Sequence, residues 1–109
     1  MSIVRRRRPS DPGRLLKLYY MEPRGITINE LAEATHISRK HISAIVNGRA
    51  AITADMATRL AAALETTPQF WLNLQNAVAL HDAAEELAAD PVVAIRSHVA
   101  GRAAADAPA

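Results

Sequence analysis

Five segments of this chain each open with a short polar residue and continue with apolar residues three and four positions apart. Short side chains that accept a hydrogen bond are favoured just before a helix, and the three-and-four spacing places apolar residues on one helical face. The five opening residues are Asp11, Thr27, Ser38, Thr53 and Thr67. The pattern predicts an all-α fold of about five helices with a C-terminal helical extension.

The first and fifth helices are each predicted to begin at a proline. The first is predicted to run from Pro12 to about Met21 and the fifth from Pro68 to about Ala89, because proline is favoured at the first helical position. The apolar face of the first helix would comprise Leu15, Leu16, Leu18 and Tyr19. A short last helix is predicted to begin at Asp90-Pro91 and to continue through Val99.

Positive charge is concentrated in the first half of the chain. Residues 1–49 hold ten of the thirteen Lys and Arg residues and four of the eleven Asp and Glu residues, although the net charge of the chain is only +2. A basic front half and an acidic back half indicate that the front half meets a polyanion.

Several classes of protein are excluded by composition and spacing. The chain has no cysteine, which excludes disulfides and thiolate metal sites, and its four histidines lack metal-binding spacing. No catalytic trio, glycine-rich phosphate loop or membrane-spanning stretch is present. We therefore expect a cytoplasmic protein that is not an enzyme, carries no metal or cofactor and has no membrane partner.

The chain length suits one domain with a modest core. We expect a flexible basic arm over residues 1–10, one folded helical domain over 11–100 and a flexible tail over 101–109. Four consecutive arginines, Arg5 to Arg8, repel one another in the arm, and the last residues lack an apolar period.

Residues 27–47 hold the strongest functional signal. Thr27 and Glu30 match a capping box at the start of one short helix, and Ser38 opens the next after a turn at Thr35-His36. Two short helices joined by such a turn, the second with a polar and basic face, form the helix-turn-helix layout. A helix of this kind fits the DNA major groove, where its N-terminal residues meet base edges.

The sequence resembles the Xre/lambda-repressor-like helix-turn-helix superfamily and, within it, the HigA/VapI antitoxin branch. The resemblance covers about residues 11–80. It rests on Asp11-Pro12-Gly13, Leu31-Ala32-Glu33, Ile37-Ser38-Arg39, Asn47-Gly48-Arg49, Ile52-Thr53, Asp55-Met56-Ala57, Arg59-Leu60 and, most specifically, Phe70-Trp71-Leu72-Asn73-Leu74-Gln75. It implies a five-helix domain that dimerises, binds a palindromic operator, represses its own operon and neutralises a HigB-type RNA-cleaving toxin.

Matching positions give the expected DNA contacts. The base contacts would come from Arg39, Lys40 and Ser43, and the DNA backbone contacts from Asn29, Ser38 and Arg49. The chain departs from the superfamily pattern at Ile28, where a phosphate-binding Gln is common, and at His36, where the turn usually has Gly.

Three further surfaces each have two interpretations. The arginines of the arm, Arg5, Arg6, Arg7 and Arg8, would enter a minor groove or attract any polyanion. The residues of the fifth helix assigned to a dimer interface are Trp71, Leu74 and Val78, with Leu72 and Leu80 as further candidates; Phe70 is assigned to the core, where Leu74 would also fit. Acidic residues at 82, 85 and 86 would form a solvated face or contact a basic toxin.

Three other functions stay open. The first is a stand-alone Xre-type transcription regulator without a toxin. The second is a protein-interaction module that has lost DNA binding, supported only by the departure at Ile28. The third is a small enzyme, for which the sequence offers no candidate active site.

Overall fold

The computed structural model describes residues 7–95, and no strand occurs among them. Arg5, Arg6 and the predicted tail lie outside these residues. The helices are α1 (Pro12–Leu15), which continues into a π-helical segment (Leu16–Met21), α2 (Ile28–Thr35), α3 (Arg39–Val46), α4 (Ala54–Leu64) and α5 (Pro68–Ala89). The expected all-α fold of about five helices is confirmed.

The helix starts follow the sequence signals. Thr27, Ser38, Thr53 and Thr67 each stand before a helix, and each side chain accepts a hydrogen bond from the backbone N–H three residues later. Glu30 returns a bond to the N–H of Thr27, which completes the capping box. Asp11 stands before α1 without forming a side-chain cap.

The π-helical segment changes which face of the first helix is buried. The N–H of Glu22 bonds to the carbonyl of Lys17, five residues earlier, at 2.9 Å. A turn widened in this way places residues five apart on one side, so Leu16 and Met21 are both buried. Tyr19 is 65% exposed, so its assignment to the apolar face was wrong, and Leu18 is 38% exposed.

The core lies between the helix-turn-helix and the last two helices. Its members are Leu16, Met21, Leu31, Ile37, Ile42, Ile45, Ile52, Ala57, Leu60, Ala61, Leu64 and Trp71. The indole of Trp71 is fully buried, donates from Nε1 to the hydroxyl of Thr66 at 2.7 Å and meets Tyr20 and Phe70 edge to face. Edge-to-face pairs each add about 0.5–1.5 kcal/mol beyond burial.

The second half of α5 projects from this core. Every residue from 82 to 89 is exposed, and Leu80 is 70% exposed. Residues 91–95 are not helical, so the helix predicted from Asp90-Pro91 does not form over the part of it that the structure describes. Within residues 7–95, no helix combines the length and the hydropathy that a bilayer span requires.

Candidate nucleic-acid interface

The turn between α2 and α3 is fixed by one buried hydroxyl. Thr35 donates from Oγ1 to the carbonyl of Leu31 at 2.7 Å and accepts from the N–H of Ile37 at 3.3 Å. His36 adopts the left-handed conformation, with φ of 62°, and its N–H bonds to the carbonyl of Ala32. The two helices therefore meet as a helix-turn-helix, with Ile37 buried at the junction.

The outer face of α3 is polar and starts with two cations. Ile42 and Ile45 point into the core, whereas Arg39 and Lys40 are exposed and Ser43 is half-buried. The side-chain oxygen of Ser38 accepts from the N–H of His41 at 3.1 Å and so anchors the start of this helix. The predicted base-contacting residues thus lie together at and after the N-terminus of α3.

The residues predicted to contact the DNA backbone flank this face. Asn29 is exposed at the start of α2, and Arg49 is exposed in the loop after α3. A shallow groove between α2 and α3 is lined by Asn29, Glu30, Ala32, Glu33 and Arg39. The capping box satisfies the N–H groups of Thr27 and Glu30, whereas the N–H groups of residues 28 and 29 have no carbonyl within the helix to bond. Such an N-terminus favours an anion.

Asn47 is a polar residue of this face that was not among the predicted DNA contacts. Its amide Nδ2 donates to the carbonyl of Ser43 at 2.9 Å and lies 3.4 Å from the hydroxyl of the same residue. Lys40, Ser43 and Asn47 are spaced three and four residues apart, so they follow one side of α3. That spacing was the signal that identifies Asn47.

Comparisons with known proteins agree with this geometry. The helix-turn-helix family model matches residues 18–71. Antitoxin HigA-1 of Vibrio cholerae is 49% identical over 71% of this chain and 72% of its own length. The chain belongs to the HigA/VapI-type family of Xre-like helix-turn-helix proteins.

Two other proteins to which this chain is similar carry different names. The HTH-type transcriptional regulator YbaQ of Escherichia coli K12 is 49% identical over 68% of this chain, and the match spans 66% of the regulator. The structure of Pseudomonas aeruginosa antitoxin HigA with the higBA promoter has a TM-score of 0.72 and 32% identity, over 79% of this chain and 100% of that one. The similar proteins thus include an antitoxin solved with promoter DNA and a protein named as a transcriptional regulator.

Two of the residues assigned to a dimer interface are buried inside the domain. Trp71 is fully buried and Val78 is 4% exposed within a single chain, so neither offers a surface to a partner and their assignment was wrong. Leu74 is half-buried against the core. The first half of α5 is apolar on most sides, and this helix packs against α4.

The basic arm of this HigA/VapI-type protein contacts α5 where the structure describes it. Arg8 forms two hydrogen bonds with the carboxylate of Asp82, from Nε and Nη2, each at 2.9 Å. The hydrogen bonds from Arg8 hold the pKa of Asp82 below its usual value, and the positive charge of Arg8 adds to this effect. Arg7 is exposed. Arg8, one of the residues expected to form a flexible arm, is therefore bound to α5, and its entry into a minor groove stays a prediction.

Proposed function

We propose that this protein is an antitoxin that binds the operator of its own toxin-antitoxin operon in the cytoplasm, represses it and neutralises a HigB-type RNA-cleaving toxin. The observation that carries the DNA-binding part is the exposed start of α3, where Arg39 and Lys40 stand on a helix fixed by the cap at Ser38. Relatives named as antitoxins, one of them solved with promoter DNA, support the rest.

The proposed contacts divide into base reading and positioning. Arg39 donates two hydrogen bonds to a guanine edge, which is worth ~1–3 kcal/mol of discrimination against another base. Lys40 and Ser43 follow along the same groove. Asn29, Ser38 and Arg49 bind phosphates and set the register of the helix without reading sequence. Repression then results from occupancy of the promoter, and the protein performs no chemistry on the DNA.

We propose that two copies dimerise through a seam in the C-terminal half and that the dimer binds a palindrome. Two recognition helices would lie about one DNA turn, or ~34 Å, apart. The exposed second half of α5 supports this seam, because Leu80, Ala83, Ala84 and Leu87 form an apolar stripe at helical spacing. The acidic residues Asp82, Glu85 and Glu86 lie on the opposite side of the helix.

Fluorescence anisotropy tests the operator-reading role. Labelled DNA from upstream of the protein's own operon is compared with scrambled DNA for the wild type, Arg39→Ala, Lys40→Ala and the double variant. We expect preference for the native DNA, with a loss of ~1–3 kcal/mol of that preference in Arg39→Ala. The matched control is Arg24→Ala, which removes an exposed arginine that lies over the ring of Tyr20. Equal weak binding of both DNAs by the wild type would contradict the proposal.

A stand-alone regulator is the second candidate, favoured by the similarity to YbaQ. The gene beside this one decides between the two. If co-expression of this protein with the neighbouring gene product restores growth and protects RNA, the antitoxin role holds. If the neighbouring product neither inhibits growth nor forms a complex with this protein, the regulator interpretation replaces it.

A further inference from the structure

A cleft lies between the first helix and the C-terminal end of α3. It is lined by Asp11, Arg14, Lys17, Leu18, Val46 and Asn47. Arg14 and Lys17 are one helical turn apart and both are exposed, and neither forms an ion pair with any residue from 7 to 95. The cleft therefore presents two positive charges whose hydrogen-bond donors are available to a ligand.

The position of this cleft is set by a close approach of two helices. A Cβ added at Gly13 would overlap the carbonyl oxygen of Ile45, so only glycine allows α1 to lie this near to α3. Asp11 lies beside Gly48, where an added Cβ would be 2.6 Å from its carboxylate oxygen. The close approach thus fixes the backbone that carries Arg14 and Lys17 beside the end of α3.

The cleft continues the polar side of α3. Lys40, Ser43 and Asn47 follow that side from its start to its end, and Asn47 also lines the cleft. The major groove is about 12 Å wide and has phosphates along both edges. If α3 lies in that groove, Arg14 and Lys17, which lie beside its exposed side, therefore face a phosphate.

We infer that this cleft binds a phosphodiester group of the DNA backbone, with Arg14 and Lys17 donating to its oxygens. The site rests on the proposed DNA-binding function and adds to it a contact beyond α2, α3 and Arg49. Asp11 weakens the site, because its carboxylate repels the anion. The contact positions the protein and does not read sequence.

The test is the salt dependence of DNA binding by the full chain. For Arg14→Gln/Lys17→Gln, we expect affinity to fall equally for operator and scrambled DNA, and the slope of log affinity against log salt to shrink by ~0.9 for each lost contact. Arg24→Gln removes one exposed charge over the ring of Tyr20 and serves as the control. Circular dichroism and thermal unfolding confirm that each variant is folded.

A variant that should bind DNA more tightly, and not more weakly, strengthens the test. Asp11→Asn removes the carboxylate and keeps a residue that is favoured before a helix, so we expect tighter binding to both DNAs. If the Arg14/Lys17 variant matches the Arg24 control in slope and affinity, the cleft proposal is wrong, whatever Arg39→Ala shows. Another outcome separates the two proposals. If the wild type has no preference for operator DNA but Arg14→Gln/Lys17→Gln has a smaller salt slope than the wild type, the phosphate contact at the cleft is retained and the operator-reading proposal fails.

Discussion

The side-chain oxygen of Gln75 accepts a hydrogen bond from the backbone N–H of Ile52 over 2.8 Å. Ile52 is buried in the loop between α3 and α4, where its N–H needs a partner from within the protein. The bond ties α5 to the loop that carries Arg49. It gives a physical reason for glutamine at the end of Phe70–Gln75, the most specific part of the family resemblance.

Replacing Gln75 tests this bond. We expect Gln75→Leu to lower the free energy of unfolding by ~1–3 kcal/mol, because it leaves the N–H of Ile52 buried without an acceptor. Gln75→Glu keeps an oxygen at the same reach and should retain most of the stability. Urea unfolding followed by the fluorescence of Trp71 measures both. Equal losses in the two variants would show that the acceptor oxygen is not what matters.

The turn residue His36 stores strain that glycine would remove. Its φ of 62° places it in the left-handed region, which costs a residue with a Cβ ~1–2 kcal/mol. We expect His36→Gly to raise the free energy of unfolding by ~0.5–1 kcal/mol, since the flexibility of glycine in the unfolded chain offsets part of the gain. Chemical denaturation at a fixed pH measures the change.

Two substitutions calibrate that result. Glu65 has a φ of 60° at the end of α4, so Glu65→Gly should also stabilise the protein. Ala62 is exposed within α4, and Ala62→Gly should destabilise it by ~1 kcal/mol. Stabilisation in all three variants, or in none, would contradict the attribution to left-handed strain.

Local features of the fold could be predicted from the sequence because their causes are local. Caps at Thr27, Ser38 and Thr53 form bonds with residues only three positions away, so they can be identified along the chain. The same holds for the exposed start of α3 at Arg39 and Lys40, which follows from helical period. The fold class and the candidate DNA-binding face therefore followed from the pattern.

Features set by tertiary packing could not be predicted. Trp71 and Val78 were misassigned because the first half of α5 is apolar on most sides, and periodicity alone does not say which side another helix covers. The π-helical segment places Leu16 and Met21 on one side at a spacing that the three-and-four pattern does not contain. The Arg8–Asp82 pair joins residues 74 positions apart.

The Arg8–Asp82 pair predicts a pH response. The pKa of Asp82 is lowered in the folded protein, so the pair's contribution is present above the unfolded-state pKa and is lost as pH falls through the lower folded value. The carboxyl carbon of Asp82 should titrate by NMR below the usual range for aspartate. Arg8→Gln should move that midpoint upward.

Arg7 provides the matched control for this titration, because it is an exposed neighbour that does not form an ion pair with Asp82. Arg7→Gln should leave the midpoint of Asp82 in place. If both arginine variants shift it equally, the general charge of the arm lowers the pKa, and the two hydrogen bonds from Arg8 do not.

Substitutions in α5 should affect dimerisation and folding separately, depending on whether the replaced residue is exposed or buried. Leu80 is 70% exposed, so Leu80→Glu should leave the monomer folded and shift sedimentation at micromolar concentration towards the monomer. Val78→Glu should instead unfold the chain, since it buries an unpaired charge in the core. Ala89→Glu adds the same charge at an exposed position away from the apolar stripe and should sediment as the wild type does. The proposal that the apolar stripe forms the dimer interface would be wrong if the wild type is monomeric at this concentration. It would also be wrong if Leu80→Glu still dimerises.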